Sequence, residues 1–308
     1  MHFYRDILKR AWQVTYRNPF LWFFGVFAAL AGNGEQYDSF FDNVSFVGNL
    51  QFNMDQLREA HMDGKLNEFW SNFTVSFGDN VGSMLLLLFV ALVILFLFFW
   101  LVTISQAALI RSAQNSSENK PIAFLDIFGA AIHRFWPLFR LNLIVVLFIY
   151  GPLVLLGLPA LIIYLDSGSL VWSVGLSLLA FLFLIPIGIV LAFLTKFASA
   201  YIVLEGQSAL QGIRSALQLF RKNWLVAVET GLLLLIINFI YAFVAVSIMT
   251  MLGFPLTQAG VVAFTVVMII LGSIYAVFRY TTWTMLWREL VNDKGTAKLV
   301  RLFQNKEQ

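Results

Sequence analysis

Residues 84–102 read MLLLLFVALVILFLFFWLV. These 19 positions carry no charge, and as a helix they extend about 28 Å at 1.5 Å per residue. The hydrocarbon core of a bilayer is about 30 Å thick. A helix that is apolar on every face has no polar side to turn to water, so its surroundings are apolar all round. This one stretch decides the class of the fold: a chain that crosses a membrane as helices.

Composition extends that reading to the whole chain. Of 308 residues, 60% are hydrophobic and only 12% charged, and the mean hydropathy is +0.80. Soluble domains carry about 25% charged residues, so this chain cannot cover its surface with polar groups. Phenylalanine is in marked excess at 32 residues. There is no cysteine, which excludes disulfides, thiol nucleophiles and Cys-ligated metals.

Outward from the quoted run, similar segments recur. We expect six transmembrane helices: 19–31, 82–106, 138–165, 170–196, 224–252 and 258–280. The first is short, with 13 residues in PFLWFFGVFAALA, and spans only with a borrowed turn or a locally thinned bilayer. Its basic leader and its Ala29-Leu30-Ala31 triplet also resemble a signal peptide. Against cleavage, the leader itself is a long amphipathic helix, with Phe3, Ile7, Leu8, Ala11 and Val14 on one face.

Charge sets the orientation. Eighteen of the 20 Lys and Arg residues fall in the N-terminal segment, the connections 107–140 and 196–222, and the end of the chain from Arg279 onward. The opposite side has Arg58 and Lys65 against nine acidic residues, among them Asp38, Asp42, Asp55 and Asp166. The positive-inside rule therefore puts both termini in the cytoplasm. Trp22, Trp100, Trp136, Trp224, Trp283 and Trp287 lie near span ends, where an amphipathic ring is favoured.

Three segments share one plan of amphipathic helix, basic elbow and span: 1–18, 121–136 and 208–222 lead into 19–31, 138–165 and 224–252. Their elbows read Arg17-Asn18-Pro19, Arg134-Phe135-Trp136-Pro137 and Lys222-Asn223-Trp224. In the third, Leu210, Ile213, Leu217, Phe220 and Trp224 share one face and Gln211, Arg214, Gln218 and Arg221 the other. Ser208 with Gln211 fits a capping box. The expected fold is a threefold internal repeat of an interfacial helix plus a two-span hairpin. Its basic in-plane helices would rest on an anionic inner leaflet.

The stretch IVLEGQSALQGIRSALQLFRKNW (202–224) resembles the signature of a family of bacterial and archaeal polytopic proteins grouped with the membrane domain of glycerophosphodiester phosphodiesterases. The segment RNPFLWFFGVFAALAGNGE (17–35) is similar to the opening of uncharacterised members. The resemblance implies a membrane fold and, as the family is bacterial and archaeal, a prokaryotic plasma (inner) membrane. In that family phosphodiester cleavage belongs to a separate soluble barrel, for which the 26 residues after the last span leave no room, so no activity is carried over.

The soluble parts are small. An acidic segment, 32–81, is expected to cap the bundle on the outer side, with short helices around the turn Asp63-Gly64. Glu35, Asp38 and Asp42 lack the ligand pattern of a calcium loop. The tail, 283–308, reads as two short cytoplasmic helices, the second basic and amphipathic. Neither part forms a free-standing basic patch with exposed aromatics, so a nucleic-acid partner is not expected.

Catalytic chemistry finds little support. His2, His61 and His133 are divided between the two sides, and no metalloprotease, phosphate-loop or nucleophile-elbow motif is present. Asp126 and His133 share a helix face, but two turns apart. No cofactor is expected. The better lead is polar groups within the membrane, which are costly unless paired or hydrated. We expect a cytoplasmic-side cluster of Glu229, Arg140, Lys196, Asn142, Asn238 and Glu205, with Glu229 paired to Arg140 or Lys196. The expected function is non-enzymatic, of scaffold, accessory or bilayer-organising type. Its partners would be anionic lipids, with a protein partner or a second copy open. The alternative is a small-solute or lipid transporter using kinked spans three and four, which carry Gly151, Pro152, Gly157, Pro159 and Pro186, together with the Glu229 region.

Overall fold

The computed structural model describes residues 3–32, 62–65, 68, 71, 81–121, 123–167, 170–251 and 258–292. Among them there is no strand. The helices are α1 (Phe3–Arg17), α2 (Leu21–Gly32), α3 (Val81–Ser117), α4 (Phe124–Ile132), α5 (Phe135–Ser167), α6 (Leu170–Ala200), α7 (Ala209–Met251) and α8 (Gln258–Val291). Five of them, α3 and α5 to α8, are long and apolar enough to cross a membrane. The sixth expected crossing, α2, has 12 residues, or about 18 Å of helix.

The chain divides into two compact units. One comprises 1–40, 100–142 and 192–308, the other 41–99 and 143–191. Among the described residues of the second unit almost nothing is buried: every residue of α3 from Leu85 to Phe99 is exposed. That surface is built of Leu, Phe, Val and Ile, as a lipid-facing wall requires. Pro152 and Pro159 lie inside α5 and Pro186 inside α6, and the helices run on through all three.

The first unit holds most of the core. In α3 burial begins at Val102 and runs nearly unbroken to Ala113, taking in Thr103, Ser105, Gln106 and Ser112. In α8 it runs from Ser273 to Leu290 with few breaks. Both helices therefore continue past the expected ends of their spans, and α8 absorbs the first part of the expected tail. Their lengths of about 55 and 51 Å exceed what a bilayer core of about 30 Å needs. Trp283 and Trp287, expected at the interface, are instead packed inside, edge-on to Phe197 at 5.8 Å and Tyr201 at 5.2 Å.

Each amphipathic segment docks on this core. Helix α2 packs on α8 so closely that a Cβ at Gly25 would lie 2.4 Å from the Ser273 carbonyl oxygen. The elbow before it is held by Asn18, whose amide donates to the Val14 carbonyl at 2.9 Å, and by the Trp22 indole, which donates to Thr15 at 3.1 Å. Helix α4 meets α2 through rings, Phe124 stacking on Phe24 at 5.1 Å.

The third segment is continuous with its span as α7, but Asn223 leaves the helical region (φ −129°, ψ 28°). The kink thus falls at the expected elbow, and the Asn223 amide donates back to Leu219 at 3.3 Å. The capping box forms reciprocally: the Ser208 amide donates to Gln211 Oε1 at 3.1 Å, and the Gln211 amide to Ser208 Oγ at 3.4 Å.

The face that α7 buries against protein is not its bulky apolar one. Ala209, Gly212, Ala216 and Leu219 are buried, whereas Leu210 is 63% and Trp224 55% exposed. In lipid the bulky apolar face gains little from turning inward, and small residues allow close helix approach. A Cβ at Gly212 would indeed lie 2.9 Å from the Ile202 side chain.

The acidic segment is described only at 62–65, 68 and 71, where Gly64 takes φ +74° and Lys65 pairs with Asp63 at 2.9 Å. The rest of that segment, and the tail from 293 onward, lie outside the described residues.

Candidate functional site

The polar residues of the first unit fall into three places. The first is the contact between α1 and α7, where the Tyr4 phenol donates to Glu229 Oε2. Tyr4 gave no signal in the sequence: it is an ordinary aromatic in an amphipathic leader, 225 residues away from its acceptor.

The second is a layer formed by α3, α5, α6 and α8. The Asn142 amide donates to Gln106 Oε1 at 3.1 Å. Gln106 also lies close to the phenol of Tyr280. Over the Tyr280 ring stands the Lys196 ammonium, 4.6 Å from the centroid, and the Arg279 guanidinium is 5.8 Å from the same centroid. A cation over a phenol face is attracted by the ring quadrupole, more strongly once water is removed. Asn142 and Lys196 were expected here; Gln106, Tyr280 and the inward turn of Arg279 were not.

The third place is the turn between α6 and α7. A π-helical turn, Tyr201–Glu205, ends at Gly206 in the left-handed region (φ +77°), whose N–H donates to the Tyr201 carbonyl. A Cβ on Gly206 would lie 2.7 Å from Nη2 of Arg134. The second elbow's arginine is therefore seated on the glycine that opens the third segment. Glu205 accepts from Gln207 at 2.9 Å, and Gln207 accepts from Ser215 at 2.9 Å. Glu205 is exposed and belongs to this turn rather than to either of the other groups.

Of the remaining expected residues, Arg140 is exposed on α5 and Asn238 is partly buried on α7. His133 and Asp126 are both exposed on and after α4.

At one end of the unit the helix termini are tied by charge. Arg10 of α1 pairs with Glu289 of α8 at 3.1 Å. Just beyond α3, Lys120 pairs with Glu118 at 2.5 Å, and Arg288 is near enough to act on the same carboxylate. The Lys120 side chain, ahead of the smaller effects of Gln114 and Arg288, holds the Glu118 carboxyl below its usual value.

Comparison with known protein families, with curated proteins and with solved structures finds no match for this chain.

Proposed function

We propose that this chain is a six-span protein of a prokaryotic inner membrane, with both termini on the cytoplasmic side, acting as a scaffold, accessory or bilayer-organising component rather than an enzyme. The observation that carries the topology is the pair of ties just described. Arg10 bonds Glu289, and Glu118 feels Arg288. The start of the chain, the end of α3 and the end of α8 thus share one side. Helix α2 leaves that side and α3 returns to it, which is one more outward crossing than the five long helices supply. With about 18 Å of helix, α2 crosses where neighbours and locally thinned lipid complete the path.

The role follows from what is left outward. On α1, Arg5, Lys9 and Arg17 are exposed beside Trp12 and Tyr16; on α7, Arg214, Arg221 and Lys222 are exposed beside Leu210 and Trp224. Each helix thus has one side against protein, with an apolar side and a basic side exposed. That is the arrangement of an in-plane helix on an anionic leaflet. The elbow bonds Asn18 to Val14 and Asn223 to Leu219 have the same form, which favours a threefold repeat of interfacial helix and hairpin. The resemblance to the membrane domain of glycerophosphodiester phosphodiesterases belongs to this reading as a fold only.

The test is purification in mild detergent, with co-purifying lipids and proteins identified. Enrichment of anionic lipid together with a stoichiometric protein partner is the expected result. Solute uptake by liposomes carrying the protein, above that of empty liposomes and reduced in Glu229→Gln, would replace this reading with a transporter.

A further inference from the structure

The Lys196 ammonium has no hydrogen-bond or ion-pair partner among the described residues; its neighbours are the Tyr280 ring and a second cation, Arg279. Two positive groups within reach of one phenol repel each other, and the ring quadrupole offsets only part of that cost. Arg279 has further contacts of its own, and the ammonium carries three donors with no hydrogen-bond acceptor among the described residues. The phenol of the same tyrosine, Tyr280, lies close to Gln106, which is bonded to Asn142 and so oriented. An ammonium in such a place gains most from an anion that no residue of this layer provides.

We propose that Lys196, with Arg279, Tyr280 and the Gln106–Asn142 pair, forms a binding site for a single oxyanion, the phosphate of an anionic phospholipid or a free phosphate of the same chemistry. Three features fit it. Lys196 supplies three donors, enough to bond one phosphate oxygen and stay over the ring. Arg279 adds positive potential without having to give up its other contacts. Asn142 lies six residues beyond Trp136, hence about 9 Å along α5 from the elbow, near the depth of a headgroup. The site goes beyond the general attraction of the exposed basic faces, because it binds one group at one place. Its lipid-borne form rests on the membrane reading above; its free-phosphate form does not.

The experiment uses the full-length protein in mild detergent, with dioleoylphosphatidylglycerol, dioleoylphosphatidylcholine or inorganic phosphate as the probe. Native mass spectrometry counts bound lipid, and thermal unfolding follows phosphate. Wild type is expected to hold one phosphatidylglycerol more tightly than phosphatidylcholine. Lys196→Met is expected to weaken that one binding event by about tenfold, the size of a lost charge-assisted hydrogen bond, and Lys196→Arg to restore most of it. Lys9→Gln, on the exposed face of α1, should leave it unchanged. If phosphate alone raises the unfolding midpoint of wild type but not of Lys196→Met, the oxyanion is free rather than lipid-borne. Equal retention of both lipids by wild type, with no phosphate effect, overturns the site even if no Lys196 variant folds. Equal binding by wild type and Lys196→Met overturns it too, leaving Lys196 as packing on Tyr280. Flotation with liposomes is scored separately, so a failed membrane reading is distinguishable from a failed site.

Discussion

The Tyr4 phenol, in the first turn of α1, donates its hydrogen to the Glu229 carboxylate of α7, joining two helices 225 residues apart in the chain. A hydrogen bond to a charged acceptor contributes about 1.5–3 kcal/mol. Tyr4→Phe removes the donor without opening a large void, so it should lower the thermal midpoint in detergent. A double-mutant cycle with Glu229→Leu, which removes the acceptor, should give a coupling of about 1 kcal/mol or more. Additive effects of the two substitutions would mean that the bond contributes nothing.

At Gly206 two causes act together. Its φ of +77° disfavours any side chain with a Cβ, and the Arg134 guanidinium occupies the place where that Cβ would go. Gly206→Ala should therefore cost about 1–2 kcal/mol from the left-handed backbone alone, plus the displacement of Arg134. Adding Arg134→Ala should recover the second part and not the first. Unfolding of the single and double variants separates the two.

Gly25 lets α2 touch the backbone of α8 at Ser273. Gly25→Ala must push the helices apart, an overpacking cost of about 1–3 kcal/mol. Accelerated proteolysis within α1–α2, with the remainder of the bundle resistant, is the expected result. Unchanged digestion would mean that α2 is not held at that contact.

Glu118 gives a dependence on pH. Its carboxyl is held low, first by Lys120, so the stabilisation is present above the ordinary carboxylate range and lost as pH falls through the depressed value. The pair is largely exposed, so the effect is small and screened by salt. The difference in unfolding midpoint between wild type and Lys120→Met should shrink between about pH 6 and pH 3, and shrink at all pH values in high salt. A difference independent of pH would assign it to helix propensity instead.

How far the sequence could be read depends on how local each cause is. The apolar runs from Met84 and from Leu143 announce helices by themselves, and the Ser208 capping box and the Asn223 elbow are decided within four residues. The continuation of α3 past residue 106, through Ala107, Ala108 and Ser112, was not legible, because its small and polar residues look like a cytoplasmic connection until neighbours cover them. Trp283 and Trp287 were read as interfacial for the same reason. The inward face of α7 went unread because bulk, not polarity, decides which side packs in lipid. Of the polar cluster, Lys196 and Asn142 could be picked out in the sequence as polar residues at the ends of apolar runs. Their partners, Tyr280 and Gln106, could not, because neither residue type stands out as a motif.

The central claim is that α2 crosses, so that α1 and the end of α8 lie on the cytoplasmic side. The chain has no cysteine, so single cysteines at Lys9, Asn43 and Asn292 can each be tested with a membrane-impermeant maleimide on intact cells. The account predicts labelling of Asn43→Cys from outside, and of Lys9→Cys and Asn292→Cys only after permeabilisation. Labelling of Lys9→Cys on intact cells, with Asn292→Cys still protected, would leave five crossings and contradict it.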